Sequence, residues 1–435
     1  MLTDLGAEPA LASLHRRLAQ LRDLRGPAVP DACAQVRELI VVASSSRSGS
    51  SMLAEVLRGC DQLLHLRAEI NPFLRIAGLG HPHSGSGSDV LDAGDLEGLG
   101  ADRRSLLDGE LSLEIGNPAH RVDDEERFGL DTAWRLTVQW PRVDWQPQEL
   151  AHLATRTLRQ MRSDTGTPSW ERYRALLIAE LRRRGAAVDG AFYDGASEAS
   201  GGGAPGEVLV EEPPFVSFGP WRHASAQDLC SRPLVVKTPS NAYRMAFLRA
   251  LFPNARVRVI HLTRNPAASV NGLYDGWRHG GFHAHRMSEP LDIAGYTDHR
   301  PKDRHWWKFD LPPGWSEYTA APLPQVCAFQ WHSAHEWILR ELSQGTDHLR
   351  VRFEDLTGTP QVRTATFERI TRWLDVPMST SFQRAAHGDV APVAATVKPS
   401  PGRWRSRASL ITGALDERIH AMARELGYGS DGEWI

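Results

Sequence analysis

An apolar run that ends in a serine-rich loop and passes straight into a helical pattern constrains this chain more than any other feature. Leu39-Ile-Val-Val-Ala43 is apolar at every position, the signature of a strand buried on both faces, as in parallel sheets. Ser44-Ser-Ser-Arg-Ser-Gly-Ser-Ser51 follows, and Met52, Leu53, Val56 and Leu57 then take up helical spacing. Three further short runs read as buried strands: Leu234–Val236, Val257–Leu262 and Leu349–Phe353. Between the first two, Tyr243, Phe247 and Leu251 give residues 241–252 a helical period, and Pro253 stops it. Strand, helix and strand at this spacing make a βαβ unit with a right-handed crossover. The predicted fold is therefore α/β, three layers about a central parallel sheet, with a large, mainly helical insertion.

The core is expected from residues 38–80 and 234–435, with an inserted loop at 276–324 that is rich in His, Trp, Gly and Pro. Residues 1–37 carry a helix at about 9–26, with Leu11, Leu14, Leu18 and Leu21 on one stripe. Packing on the parent domain is the ordinary use of such a stripe; dimerisation is the sharper one. Residues 81–233 interrupt the core with helical stretches near 147–162 and 168–184 and glycine-rich ones at 84–88 and 195–206. Insertions of this kind usually lie over the carboxyl ends of the strands, where ligands bind. The 435 residues, 41% hydrophobic and 24% charged, are globular in composition. No run of 18 apolar residues predicts a membrane span, and the first residues lack the pattern of a secretory leader. Fifty basic residues against 53 acidic ones argue against a nucleic-acid partner. Cys33, Cys60, Cys230 and Cys327 are too scattered for a disulfide framework, so a reducing cytoplasm is the plain reading.

A Ser/Gly loop between a buried strand and a helix N-terminus turns successive backbone N–H groups toward one anion, and the helix dipole adds positive potential. Ser48, Ser50 and Ser51 add hydroxyl donors, and Arg47 adds a planar fork suited to phosphate or sulfate oxygens. The loop departs from the nucleotide-triphosphatase pattern GxxxxGK[ST]: Ser44 stands in place of the first glycine, and no lysine follows Gly49. A second anion signal closes another strand, in Thr263-Arg264-Asn265-Pro266. Pro266 suits a first helical turn, and Arg264 and Ser269 are then placed to share one phosphate. A nucleotide phosphorylated at both ends of its ribose needs two such strand ends.

With these residues in view, the chain resembles the sulfotransferases that use 3′-phosphoadenosine-5′-phosphosulfate (PAPS). Ser45–Ser51, with Gly49 and the following Met52, resembles their 5′-phosphosulfate loop, especially in the carbohydrate and tyrosylprotein branches. Arg264-Asn-Pro-Ala-Ala-Ser269 resembles their 3′-phosphate motif. Val236–Ser240, Leu251–Arg256 and Val351–Leu356 are also similar to family segments. The likeness covers about 38–75, 234–275 and 325–380, under half of the chain. Two departures stand out. The insertion is long for the family, and the Arg-Lys-Gly triplet of cytosolic members is absent. Lys398–Arg405 stands in a similar place, and its Gly402-Arg403-Trp404 resembles the looser bacterial form.

The resemblance implies a P-loop-like fold, PAPS as sulfuryl donor with no metal, and in-line transfer to a hydroxyl of a carbohydrate, lipid or specialised metabolite. Arg47 is then the candidate for the bridging or sulfuryl oxygens. Lys237, one of only four lysines besides Lys302, Lys308 and Lys398, is the candidate second cation. Glu69 and His65 are the candidate general bases, with Glu69 favoured because related branches carry a glutamate there. Residues 81–233 become an expected acceptor-side subdomain for a small-molecule or glycan acceptor, with Trp134, Trp140, Trp145, Tyr193, Trp306 and Trp307 as flat walls. Residues 156–184 hold eight arginines against three acids, which suits either an anionic acceptor or a solvated helix face. His332 and His335, a helical pair, lack the zincin order. Oligomeric state is left open. A small-molecule kinase with a degenerate loop, or a non-catalytic nucleotide- or glycan-binding protein, are the competing readings.

Overall fold

The computed structural model describes residues 7–435 except 68, 141–142, 144, 166–168, 187, 189–218, 281, 394, 430–433 and 435. The predicted Tyr193 wall and the glycine-rich stretch 195–206 lie outside the described residues.

Nine strands are present among the described residues: β1 (Glu38–Ala43), β2 (Leu64–His65), β3 (Gly116–Pro118), β4 (Trp221–His223), β5 (Leu234–Lys237), β6 (Arg256–Thr263), β7 (Ala284–Arg286), β8 (Trp306–Lys308) and β9 (His348–Arg352). Seven of them form one sheet in the order β4-β3-β2-β5-β1-β6-β9. β2, β5, β1, β6 and β9 run parallel, and β3 and β4 add antiparallel at one edge. The α/β prediction holds: β1, β5, β6 and β9 lie where continuous apolar runs placed them, and the short parallel strand β2 is one that no such run announced. β1 is central, with Val41 opposite Val236 on one side and Val259 on the other. Its side chains alternate between two cores. Leu39, Val41 and Ala43 join one cluster, and Ile40 and Val42 join another with Leu53 and Leu57 of the helix Ser50–Arg58. β7 and β8 form a separate antiparallel hairpin against a third cluster built on Trp277, Trp307 and Trp331.

The first helix, Ala7–Leu24, lays Leu14, Leu18 and Leu21 into the same cluster as Leu39 and Val41, so its stripe packs on the core. The insertion also enters that cluster, through Trp134, Leu158 and Tyr173, and supplies β3 and β4 to the sheet. A buried ion network joins the two: Arg25 reaches Asp131 at 2.9 Å and Glu110 at 3.1 Å.

The structure differs from expectation at two places. The helix predicted over 241–252 is broken into a 3-10 turn, Pro239–Tyr243, and an α-helix, Met245–Leu251. Arg244 sits at the break because its side chain is drawn inward to Asp89 (2.7 Å) and Asn71 (2.5 Å). Phe353 opens the short helix Phe353–Thr357 instead of ending β9. Among the described residues no helix is long and apolar enough to cross a membrane.

Candidate active site

β1 delivers the chain into the loop Ser44–Gly49 at the carboxyl edge of the sheet. Two left-handed residues, Arg47 (φ 64°) and Gly49 (φ 93°), fold the loop back before the helix Ser50–Arg58 begins. Gly49 is required for space as well as conformation: a Cβ there would lie 2.2 Å from the Phe353 ring. The unpaired N–H groups of the helix's first turn face the loop. Inside it, the Ser45 and Ser48 hydroxyls are 2.5 Å apart, which fixes the turn, and Ser46 donates to Asp310 at 2.7 Å.

Arg264 follows β6 and donates to the Arg47 carbonyl at 3.1 Å, tying the second strand end to the loop. Its guanidinium lies over Phe353, 4.6 Å from the ring centre, and that of Arg47 lies over Phe282 at 4.7 Å. Burial lowers the Arg264 pKa, and Glu354 opposite partly restores it. Asn265 caps the helix Pro266–Arg278 by accepting from the Ala268 N–H, while its own N–H and amide donate to Glu354. Ser269, inside that helix, is fully buried, and its hydroxyl has no hydrogen-bond partner among the described residues. Buried orphans of this kind are rare in folded proteins and fit a site awaiting an oxyanion.

Arg47, Gly49, Arg264, Phe353 and Glu354 border a cavity of about 480 Å³, with Glu69, Lys237, Phe309 and Asp310 on its walls beside Ser50, Ser51 and Met52, whereas Ser269 does not line it. Ala385, Gly388, Val390 and Pro392 close one side of it, with Pro399 and Pro401. A smaller cavity of about 80 Å³ shares Arg47 and Arg264 and adds Gly402, Arg403 and Trp404. Arg403 is paired there with Asp275 at 2.6 Å, and Trp404 is buried. Lys237, at the carboxyl end of β5, donates to Glu69 at 2.5 Å, across 168 residues of sequence. Ser48 is buried behind the loop and does not line either cavity.

The other base candidate, His65, lies in β2 away from the cavity lining. Burial, helped by the charge of Arg58, pushes its pKa down to about 3. The tryptophans expected as acceptor walls pack elsewhere. Trp134 stacks on Phe73, Trp140 and Trp145 lie against the same core, and Trp306 and Trp307 are buried in the hairpin. Apolar packing claimed the largest rings, and no described residue of 81–233 lines the cavity. The rings that line the cavity are Phe282, His283, Phe309 and Phe353. Arginines of 156–184 pair with carboxylates of the insertion itself, Arg159 and Arg162 with Glu125 and Arg156 and Arg184 with Glu180. His335 faces His261 at 3.0 Å in the interior. No group of three metal-ligating side chains occurs among the described residues.

Phe282, Phe309, Asp310 and Glu354 are cavity residues that sequence reading did not single out. Glu354 lies inside a segment with a family likeness; the other three carry no spacing signal, because a loop's partners are set in three dimensions.

The profile of the Sulfotransferase family matches residues 40–297, more than half of the chain. The chain belongs to the sulfotransferase family. The match takes in the loop after β1, Lys237, Arg264 and Ser269, and ends before Asp310. Two solved structures are similar over nearly the whole length at low identity. One is the sulfotransferase domain of the Synechococcus PCC 7002 olefin synthase, at 15% identity and TM-score 0.35, covering 91% of this chain and 96% of that one. The other is the sulfotransferase STF9 of Mycobacterium avium, at 14% identity and TM-score 0.36, covering 98% and 87%. Curated protein sequences yield no significant match.

Proposed function

We propose that this sulfotransferase takes its sulfuryl group from PAPS and delivers it to a hydroxyl of a carbohydrate, lipid or specialised metabolite. One observation supports the reading: the serine-rich loop after β1, Arg264 after β6 and a Lys–Glu pair border one cavity. The residues fit the donor. The 5′-phosphosulfate would rest on the Ser46–Ser51 backbone and the helix N-terminus, with the side chains of Arg47, Ser50 and Ser51 as polar partners and Ser48 contributing through its backbone alone. The 3′-phosphate would take Arg264 and the orphan Ser269 hydroxyl, with Gly402, Arg403 and Trp404 closing over the nucleotide from the smaller cavity.

In the transfer, the bond from sulfur to the bridging phosphate oxygen breaks as the acceptor oxygen bonds to sulfur. Lys237 and Arg47 offset the charge that grows on the leaving phosphate. Glu69 accepts the acceptor proton, and its ion pair with Lys237 keeps its carboxylate oriented at the cavity wall. The acceptor is a small molecule or glycan, the compartment is cytoplasmic, and nucleic acid is not a partner. A small-molecule kinase would want a lysine after Gly49, where Ser50 stands.

Thermal unfolding with adenosine 3′,5′-bisphosphate beside ATP, with and without magnesium, tests the donor. Ligand at 100 times its dissociation constant stabilises the fold by about 2.7 kcal/mol. Stabilisation by the bisphosphate without metal, and none by ATP, is the expected result. Stabilisation by magnesium-ATP alone would transfer the protein to phosphoryl chemistry and remove the Arg264/Ser269 assignment.

A further inference from the structure

The hairpin β7–β8 hands the cavity a carboxyl group from outside both phosphate motifs. Phe309, directly after β8, is left-handed (φ 65°), a conformation rare for an aromatic residue and found where surrounding structure enforces it. Its N–H donates to the His283 carbonyl at 2.9 Å. The next residue, Asp310, is locked by its backbone: its carbonyl accepts from Trp307 (2.9 Å) and Gln330 (2.8 Å). The Leu311 N–H donates to Asp89 at 2.9 Å. So held, Asp310 is buried and still borders the cavity. One carboxylate oxygen accepts from Ser46 of the phosphate loop (2.7 Å), and the other from the Tyr243 hydroxyl (3.1 Å) in the turn after Lys237.

We propose that Asp310 is a positioning residue of the donor site, whose carboxylate fixes Ser46 in the phosphate loop and, through Tyr243, the turn that follows Lys237. The proposal rests on the donor reading above. Both carboxylate oxygens act as acceptors, so the ionised form is the one that holds loop and turn together. Protonation makes one oxygen a donor and strips the charge assistance from both hydrogen bonds, which loosens the hold on loop and turn. Burial, with the nearby charge of Asp89, pushes the Asp310 pKa up to about 6, against the pull of the Ser46 and Tyr243 hydrogen bonds. Its buried titratable neighbours Asp89, His285, His283 and Tyr243 are shifted away from that window. Asp89, despite its burial, is held down to about 2 by Arg244 and by hydrogen bonds from the Leu311 N–H and the Ser240 hydroxyl. His285 and His283 are kept neutral by burial, with His285 near 3. Burial also pushes Tyr243 up, well away from the window. Arg47, Glu69 and Lys237 lie on the cavity walls.

Calorimetric titration of adenosine 3′,5′-bisphosphate into the wild-type, Asp310→Asn and Ser46→Ala proteins, from about pH 5 to about pH 8, tests this. At the alkaline end the wild type should bind about tenfold tighter than either variant, the scale of one lost charge-assisted hydrogen bond. That ratio should collapse toward one at the acid end. Taking the ratio cancels the titration of the ligand's own phosphates, whose second pKa is about 6. A ratio that stays constant with pH overturns the role of the Asp310 charge, and equal affinities at the alkaline end overturn the role altogether. If Asp310→Asn does not fold, the Ser46→Ala ratio decides alone. A wild type that ignores the bisphosphate at every pH brings down the donor reading itself, a result distinct from binding that is indifferent to Asp310.

Discussion

At the scale of single residues, the proposed chemistry rests on the Lys237–Glu69 pair. Both side chains are about one-tenth exposed and 2.5 Å apart, so each is oriented by the other with little water between. Gln at position 69 would keep an oxygen for Lys237 and lose only the capacity to take a proton. Glu69→Gln should therefore lower kcat by about a hundredfold or more, with bisphosphate affinity unchanged. Full turnover in that variant would remove Glu69 as the base. His65 is the contrasting case. The sequence offered both residues within one short segment, and only the fold shows that β2 buries one while the following turn presents the other. Rarity made Lys237 legible; Asp310, an ordinary aspartate in an irregular segment, had no comparable mark.

The strand–loop–helix element was legible almost whole, because its parts are local. A fully apolar run, a serine-rich turn and a restart at helical spacing need no distant partner to be recognised. What locality hides is the reason for Gly49. Its positive φ is a property of the turn, but the ring that excludes a side chain there belongs to Phe353, three hundred residues away. Gly26 supplies a control, since its φ is also positive and a Cβ there meets nothing. Gly26→Ala should show backbone strain alone, about 1 kcal/mol, with donor binding intact. Gly49→Ala should lose more stability, about 1–3 kcal/mol for the strained residue plus displacement of Phe353, and should lose the bisphosphate-induced shift as well. Denaturant unfolding with and without ligand measures both; two variants that behave alike would show that Phe353 yields freely.

For the whole molecule, the insertion and the first helix are part of the same hydrophobic cluster as the sheet. Trp134 shows the linkage: it is fully buried against Phe73 and flanked by the guanidinium of Arg25, 5.2 Å from its ring. Trp134→Ala should cost about 3–5 kcal/mol and lower the same unfolding transition that the bisphosphate raises. If the ligand-responsive transition stays in place while a separate one falls, residues 81–233 fold as an independent unit. The insertion thus buttresses one edge of the sheet, and the hairpin β7–β8 is what reaches the cavity.

Sequence alone determined the α/β class, the parallel core, the position of the two candidate anion sites at strand ends and the family resemblance. Each of these is written in short stretches where local pattern and chemistry coincide: buried strands read as apolar runs, and phosphate loops as small polar residues before a helix. Tertiary structure alone decided which carboxyl faces the cavity, which aromatic rings wall it and what the insertion rests on. Those choices depend on side chains brought together across hundreds of residues. They also depend on competition for burial, in which the largest tryptophans went to the cores and left phenylalanines and an aspartate at the site.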